Sequence, residues 1–115
     1  MRALVVEDDL TLLCFYTKVL RSAGHQVYPA ATIHAASLLL ARHHFDICIF
    51  DVQISNQTSF ELLAQFPALQ QQGTRIIVIS GQPRYRAFCD DHQVEFYLKP
   101  IQQDKLLQLV AGVYA

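Results

Sequence analysis

The sequence predicts an α/β fold in which helices cover both faces of a five-stranded parallel sheet. Four short apolar runs lack the alternation of half-exposed strands, which indicates strands buried on both faces. Segments with helical spacing separate these runs, so strand and helix alternate along the chain. Right-handed crossovers and two-sided coverage favour the doubly wound strand order 2-1-3-4-5.

The predicted strands are the four apolar runs and one further segment. The segment "HQVYP", 25 to 29, is one more strand, and Pro29, which cannot donate a hydrogen bond to a neighbouring strand, indicates an edge strand or a strand end. The apolar runs are "ALVV" (3 to 6), "DICIF" (46 to 50), "RIIVIS" (75 to 80) and "VEFYL" (94 to 98).

Five helices are predicted between and after these strands. Asp9 has the chemistry of an N-cap for the first helix, and Thr32 opens the second. Gly24 closes the first helix and Gly73 the third. The predicted ranges are 9 to 23, 33 to 43, about 59 to 72, about 84 to 92, and 101 to about 113.

Length and charge exclude several classes of protein. At 115 residues the chain has the size of one domain with a single core. The 9 basic and 10 acidic side chains give a formal net charge of −1, and no segment concentrates Lys and Arg. We therefore expect no direct binding to nucleic acid. The first residues lack a signal-peptide pattern and no run approaches the roughly 20 apolar residues of a membrane span, which predicts a soluble cytoplasmic protein.

Cysteine and histidine occur without the spacing of a metal site. The cysteines lie in apolar or helical segments, so we expect buried reduced thiols at Cys14, Cys48 and Cys89. The histidines share no motif and are expected to be ordinary surface or core residues, at His25, His34, His43, His44 and His92.

Acidic residues follow the first and third strands, which are neighbours in the predicted sheet. Glu7, Asp8 and Asp9 end strand 1, and Asp51 ends strand 3. Ligands of such sheets bind at this point, outside the carboxyl ends of the strands. Two carboxylates about 4 Å apart repel by roughly 4 kcal/mol at an effective dielectric of about 20, so the cluster requires a cation. Oxygen ligands without His or Cys favour Mg²⁺ before Ca²⁺.

Ser80 and Lys99 follow the fourth and fifth strands and extend the same edge. A carboxylate nucleophile, a metal, a hydroxyl and a lysine together are the groups that phosphoryl transfer to a carboxylate requires. The order and spacing of these residues predict a phosphoryl-transfer site at this edge.

The segments "LVVEDD", "IFD", "VIS" and "YLKP" together resemble the receiver domain of bacterial two-component response regulators. The resemblance covers essentially the whole chain, which is then a single receiver domain over residues 1 to 115. It implies a flavodoxin-like (CheY-like) three-layer sandwich. It also implies a phosphoprotein of the phosphorelay type, which changes conformation when it is phosphorylated.

The resemblance assigns roles to the acidic residues. Asp51 is similar to the aspartate that accepts a phosphoryl group from a histidine kinase or a phosphotransfer protein. Asp8 resembles the direct Mg²⁺ ligand and Glu7 its water-mediated companion, while Gln53 is expected to supply a backbone carbonyl. The only chemistry implied is Mg²⁺-dependent self-phosphorylation and self-dephosphorylation, not catalysis on a separate substrate.

Three further residues match positions of the family switch. Ser80 resembles the hydroxyl that moves onto the phosphoryl group, and Lys99 the cation that pairs with it. Phe96 lies where the family has a rotating aromatic side chain, although a buried core ring is an alternative interpretation of this residue. The output partner is expected to be a separate protein or an output domain.

Several positions depart from the family pattern. Ser55 and Ser59 replace the usual Pro and Gly after the acceptor aspartate, so we expect a rebuilt or strained loop. The segment between Ser80 and Lys99 is shorter than usual, which predicts a shortened fourth helix. The last segment, "KPIQQDKLLQLVAGVYA", carries few charges, so a monomer or weak dimer is expected.

Two other functions remain open from the sequence. The altered loop is compatible with a degenerate receiver that acts as a phosphorylation-independent docking module. A phosphatase of the haloacid dehalogenase type also uses a strand-end Asp and Mg²⁺. That family has an Asp-x-Asp motif at its nucleophile, whereas here Gln53 occupies the position of the second Asp.

Overall fold

The computed structural model describes residues 1–54 and 57–112. Its strands are β1 (Arg2–Val6), β2 (Gln26–Ala30), β3 (Ile47–Asp51), β4 (Gln53–Ile54), β5 (Gln57–Thr58), β6 (Arg75–Ser80) and β7 (Glu95–Leu98). The main sheet is parallel, in the order β2-β1-β3-β6-β7. Counted without the short antiparallel pair β4–β5, this is the predicted order 2-1-3-4-5. Pro29 lies on the edge strand β2, as predicted.

The helices alternate with the strands of the main sheet. They are α1 (Leu10–Ser22), α2 (Ile33–Arg42), α3 (Phe66–Gln71), α4 (Arg86–Asp91) and α5 (Gln103–Ala111). Two 3-10 helices precede α3 and α4, at Ser59–Gln65 and Pro83–Tyr85. No helix in the described part of the chain combines the length and the apolar character that crossing a bilayer requires.

The strands bury side chains on both faces of the sheet, because successive residues point to opposite sides. In β1, Val5 packs with side chains of α1 and α5, while Val6 packs with the layer that contains α2, α3 and α4. The same division holds for Ile49 and Phe50 in β3. The result is the predicted three-layer sandwich.

The predicted starts of the first two helices are confirmed by their N-cap hydrogen bonds. An Asp9 carboxylate oxygen accepts from the backbone N–H groups of Thr11 at 3.0 Å and Leu12 at 3.1 Å. Thr32 caps α2 by accepting from the Ala35 N–H at 3.0 Å. Both side chains satisfy N–H groups that have no partner within their own helix.

The predicted third helix was too long at its start. A 3-10 helix occupies Ser59–Gln65, and α3 begins only at Phe66. Pro67 lies in the first turn of α3, where its missing N–H costs nothing. Within a longer α-helix, the same ring would remove a hydrogen bond and clash with the preceding turn. The fourth helix is short, as predicted: α4 has 6 residues.

The prediction for the thiols was wrong at one position. Cys48 and Cys89 are buried, whereas Cys14 is exposed on α1. Cys14 precedes Phe15 and Tyr16, and helical geometry turns it away from the sheet while Tyr16 is buried. The apolar neighbours of Cys14 in the sequence therefore did not predict its burial.

Candidate functional site

The acidic residues meet because β1 and β3 are adjacent and end at the same level. Val6 is paired with Phe50, so Glu7 and Asp51 follow side by side at the carboxyl ends of the strands. One carboxylate oxygen each of Glu7, Asp8 and Asp51 lies within 4.8 Å of the others. This is the convergence that the strand order predicted. No histidine of the described residues belongs to such a group.

Lys99 reaches this cluster from the other side of β6. Its backbone N–H donates to the Ser80 carbonyl at 2.9 Å, which places the residue at the end of β7. Its Nζ donates to Glu7 Oε2 at 3.0 Å and to Asp51 Oδ2 at 3.2 Å. A single ammonium group thus bridges the carboxylates of two neighbouring strands. We call Glu7, Asp8, Asp51 and Lys99 the acidic rim.

Burial governs the protonation of Glu7. Its side chain is only 2% exposed, and this desolvation raises the pKa of Glu7 to about 7, with the negative charge of Asp51 adding to the shift. The hydrogen bond from Lys99 opposes the shift without reversing it. Burial disfavours the charged form of Lys99, but its contacts with Glu7 and Asp51 outweigh burial and raise the pKa of Lys99.

The acidic rim fits a small divalent cation. Its three carboxylates offer only oxygen ligands, which hard cations prefer. Glu7 is buried, Asp51 is half-buried and Asp8 is exposed, so the cluster opens to solvent on the Asp8 side. Crowded carboxylates with one lysine among them gain from additional positive charge.

Ser80 lies at the same edge, at the end of β6. Asp51 is paired with Ile79, so Ser80 extends one residue beyond the level of Asp51. Its side chain is 4% exposed, and Ser80 Oγ accepts a hydrogen bond from the Gln82 N–H at 3.1 Å. The hydroxyl is thus held by the chain that leads to α4.

Phe96 and Tyr97 point to opposite faces of the sheet. Phe96 is 6% exposed and packs in the layer of α2, α3 and α4, with the Arg86 guanidinium 4.9 Å from its ring centre. Tyr97 is half-buried against the layer of α1 and α5. Phe96 therefore has the core position of the alternative interpretation, and its rotation on activation stays a prediction.

At its described residues, the segment after Asp51 forms the short β4–β5 pair and is not strained at Ser59. The Ser59 N–H donates to the Val52 carbonyl at 2.8 Å, and β4 pairs with β5 ahead of it. Among the described residues, Gln93 is the one non-glycine residue with positive φ, so Ser59 does not adopt the conformation of the usual glycine. Ser59 is fully buried, and its Oγ has no hydrogen-bond partner among residues 1–54 and 57–112. Ser55 lies outside the described residues.

Tyr85 is next to the site, and the sequence did not reveal it. The Gln53 amide Nε2 donates to Tyr85 Oη at 3.3 Å, and Arg84 Nη2 donates to the same oxygen at 3.0 Å. No motif marks Tyr85, because its position depends on where the short α4 begins.

Comparison with known proteins identifies the family to which the chain belongs. The sequence profile of the family described as "Response regulator receiver domain" matches residues 3–111. The chain is 27% identical over 108 residues to the alginate biosynthesis transcriptional regulatory protein AlgB of Pseudomonas aeruginosa, covering 91% of this chain and 24% of AlgB. It is also 27% identical over 117 residues to a two-component response regulator of Oryza sativa subsp. japonica, covering 99% of this chain and 20% of that protein. The chain thus spans about a quarter or less of these relatives.

Solved structures share the fold. A CheY-like receiver domain protein from Methanospirillum hungatei superimposes with a TM-score of 0.86 at 24% identity, covering 96% of this chain and 90% of that one. The response regulator TrrA of Thermotoga maritima, solved in complex with Mg²⁺ and BeF, has a TM-score of 0.83 at 19% identity and 98% coverage of both chains.

Proposed function

This chain belongs to the response regulator receiver domain family, and on that premise we propose that Asp51 accepts a phosphoryl group from a histidine kinase or a phosphotransfer protein. An Asp51 carboxylate oxygen attacks the phosphorus of a phosphohistidine. The new O–P bond forms as the P–N bond breaks, and the imidazole leaves with the electron pair and takes up a proton from water. The product is an acyl phosphate on Asp51.

The position of Lys99 carries this proposal. Its Nζ contacts Asp51 and Glu7 together, so a fixed cation lies beside the carboxylate that would be phosphorylated. Charge-assisted hydrogen bonds from such a group stabilise phosphoryl oxygens and require little reorganisation. We assign Lys99 to the phosphoryl oxygens, and Ser80 to a further hydrogen bond with them once its hydroxyl leaves the Gln82 N–H.

Glu7, Asp8 and Asp51, with the backbone carbonyl of Gln53, would hold Mg²⁺. When bound, the ion supplies positive charge that offsets the carboxylates and the incoming phosphoryl oxygens. The backbone N–H of Asp9 donates to Glu7 Oε1 at 3.2 Å, which helps to orient the Glu7 carboxylate. The raised pKa of Glu7 supports a cation there, because added positive charge favours the ionised carboxylate.

The phosphorylated domain would signal by favouring a second arrangement of Phe96 and of the segment after Ser80. The output would be docking to a separate partner or to an output domain, in the cytoplasm, with no separate substrate turned over. Self-association is proposed to be weak. The apolar residues of the last segment that could support a dimer, Ile101, Leu106 and Val110, are buried within the domain.

The decisive experiment uses acetyl phosphate as the donor and intact-mass spectrometry as the readout. The wild-type protein should gain one phosphoryl group in Mg²⁺ and none in excess chelator, and Asp51→Asn should gain none. Asp46→Asn is the matched control, because Asp46 is an exposed acid at the opposite edge of the sheet and should leave labelling unchanged.

Equal labelling with and without Mg²⁺, or labelling of Asp51→Asn, would contradict the mechanism. A wild-type protein that binds Mg²⁺ but takes up no phosphoryl group would favour the phosphorylation-independent docking module instead.

A further inference from the structure

The side chain of Gln53 joins two segments that are distant in the sequence. Gln53 begins β4, two residues after Asp51, and its backbone pairs with Thr58. Its amide nitrogen donates to Tyr85 Oη at 3.3 Å. Tyr85 ends the 3-10 helix that leads into α4. The loop after the acceptor strand is therefore hydrogen bonded directly to the start of α4.

Tyr85 is held from its other side as well. Arg84 Nη2 donates to Tyr85 Oη at 3.0 Å, and the Arg84 guanidinium lies 5.0 Å from the ring centre. The phenolic oxygen thus accepts two N–H groups that approach from different residues. The Tyr85 ring also meets Phe60 edge-on at 5.6 Å.

Phe60 adds a second connection between the same two segments. It directly follows Ser59 in the 3-10 helix Ser59–Gln65, and its ring centre lies 4.1 Å from that of Phe88 in α4. Gln53 and Phe60 therefore contact Tyr85 and Phe88 through one hydrogen bond and two ring contacts. These contacts do not pass through Ser80 or Phe96.

The start of α4 depends on such tertiary contacts. The helix has 6 residues, and its N-cap, Tyr85, makes no side-chain capping hydrogen bond. Isolated helices of this length are unstable in water. Where α4 begins is thus determined by what Tyr85 and Phe88 contact.

We propose that Tyr85 is a positioning residue that couples occupancy of the acidic rim to α4 through the side chain of Gln53. The inference rests on the proposed function, because it needs a cation and a phosphoryl group at the rim. Binding there displaces the main chain at Gln53, and the hydrogen bond transmits this displacement to Tyr85. The proposal adds a second connection to the one expected through Ser80 and Phe96.

The test compares Tyr85→Phe with the wild type by backbone amide NMR during titration with Mg²⁺ and beryllofluoride. The substitution keeps the ring contacts and removes only the oxygen. Amides of Ser80 and Gly81 report occupancy of the rim, and those of Ala87 and Phe88 report α4. A solvent-exposed hydrogen bond changes a two-state ratio by roughly two- to tenfold, so the α4 shifts should fall by about half or more. Those at Ser80 should persist.

The control is Tyr28→Phe. Gln26 Nε2 donates to Tyr28 Oη at 3.0 Å, which is the same type of pair on the edge strand β2, and the Tyr28 ring packs against His43 and Phe45. This variant should keep the full α4 response. Gln53→Leu should reduce the α4 response as Tyr85→Phe does, and the double variant should reduce it no further if one hydrogen bond is responsible.

The outcomes separate this inference from the proposed function. An unchanged α4 response in Tyr85→Phe, or an equal loss in Tyr28→Phe, overturns the role of Tyr85 and leaves the proposed function standing. A wild-type protein without shifts at Ser80 overturns both, and the failure is then seen at the rim itself.

Discussion

Charged side chains are arranged differently at the two ends of the strands of the central sheet. At the amino ends of the strands, which we call the amino edge, two carboxylates lie beside donors: Arg75 Nη2 lies 2.8 Å from Glu95 Oε1, and the Asp46 carboxylate accepts from the backbone N–H of Arg2 at 2.8 Å. At the carboxyl edge, three carboxylates converge and Lys99 is the cation that contacts two of them.

The solvent exposure of these side chains increases the electrostatic difference between the two edges. The side chains of Arg75 and Glu95 are 30% and 29% exposed, so solvent weakens their attraction. Those of Glu7 and Asp51 are 2% and 13% exposed, where both attraction and repulsion are stronger. Crowded buried charge lowers stability, and its occurrence at the carboxyl edge indicates a functional site.

The largest expected effect tests this contrast with one lysine and one glutamate. Lys99→Ala in metal-free protein at pH 8 should lower the free energy of unfolding by about 2 kcal/mol, less than for a fully buried pair because Lys99 is partly exposed. Glu95→Gln at the amino edge should cost only about 0.5 kcal/mol. Urea denaturation of both variants measures the two values.

Mg²⁺ should then restore more stability to Lys99→Ala than to the wild type, because the ion and Lys99 neutralise the same carboxylates. Equal costs at the two edges would contradict the difference in charge between them. A large loss of Mg²⁺ affinity in Lys99→Ala would show that the rim is not the metal site.

The second expected effect is a pH-dependent stabilisation by Mg²⁺. The raised pKa of Glu7, about 7 against 4.5, means that the folded state holds this proton more tightly than the unfolded state. Its contribution to stability is thus fully present below about pH 4.5 and is lost as pH rises through 7. Mg²⁺ binds the ionised carboxylates, so its effect should grow over the same range. At about 10 times its dissociation constant, the ion should add about 1.4 kcal/mol.

Thermal unfolding at pH 5.5 and pH 8, with and without Mg²⁺, measures this effect. Asp51→Asn should reduce it at both values. A Mg²⁺ effect that is larger at pH 5.5 than at pH 8 would exclude Glu7 from the site.

The smallest expected effect compares one buried hydroxyl near each edge. Ser59→Ala should raise the free energy of unfolding by about 1 kcal/mol, because Ser59 Oγ is buried without a partner among the described residues. Thr74→Val, at the amino edge, should lower it by about 1 kcal/mol. Thr74 Oγ1 donates to the Phe45 carbonyl at 2.6 Å, so this substitution leaves a buried carbonyl with one bond fewer. Urea denaturation giving the same sign for both would contradict the hydrogen-bond assignment.

Sequence alone predicted the features that depend on neighbouring residues or on a general rule of topology. Asp9 and Thr32 cap helices because their oxygens reach N–H groups two or three positions away. The proximity of Glu7 and Asp51 could be predicted from the sequence, because the carboxyl ends of neighbouring parallel strands meet at one edge of the sheet.

Other features followed from packing and could not be read from local pattern. Alternation along β7 puts Phe96 and Tyr97 on opposite faces, but only the pairing of Phe96 with Val78 decides which face each occupies. Cys14 looked buried from its neighbours, whereas the rotation of α1 exposes it.

The sequence by itself determined the layered fold, the strand order and the meeting of Glu7, Asp8, Asp51 and Lys99, because hydrophobic periodicity and parallel topology act through short-range rules. Only the tertiary structure decided the hydrogen bond between Ser59 and Val52 and the contact between Gln53 and Tyr85. The second contact depends on how a short helix packs against a residue 32 positions away, and no local preference encodes that packing.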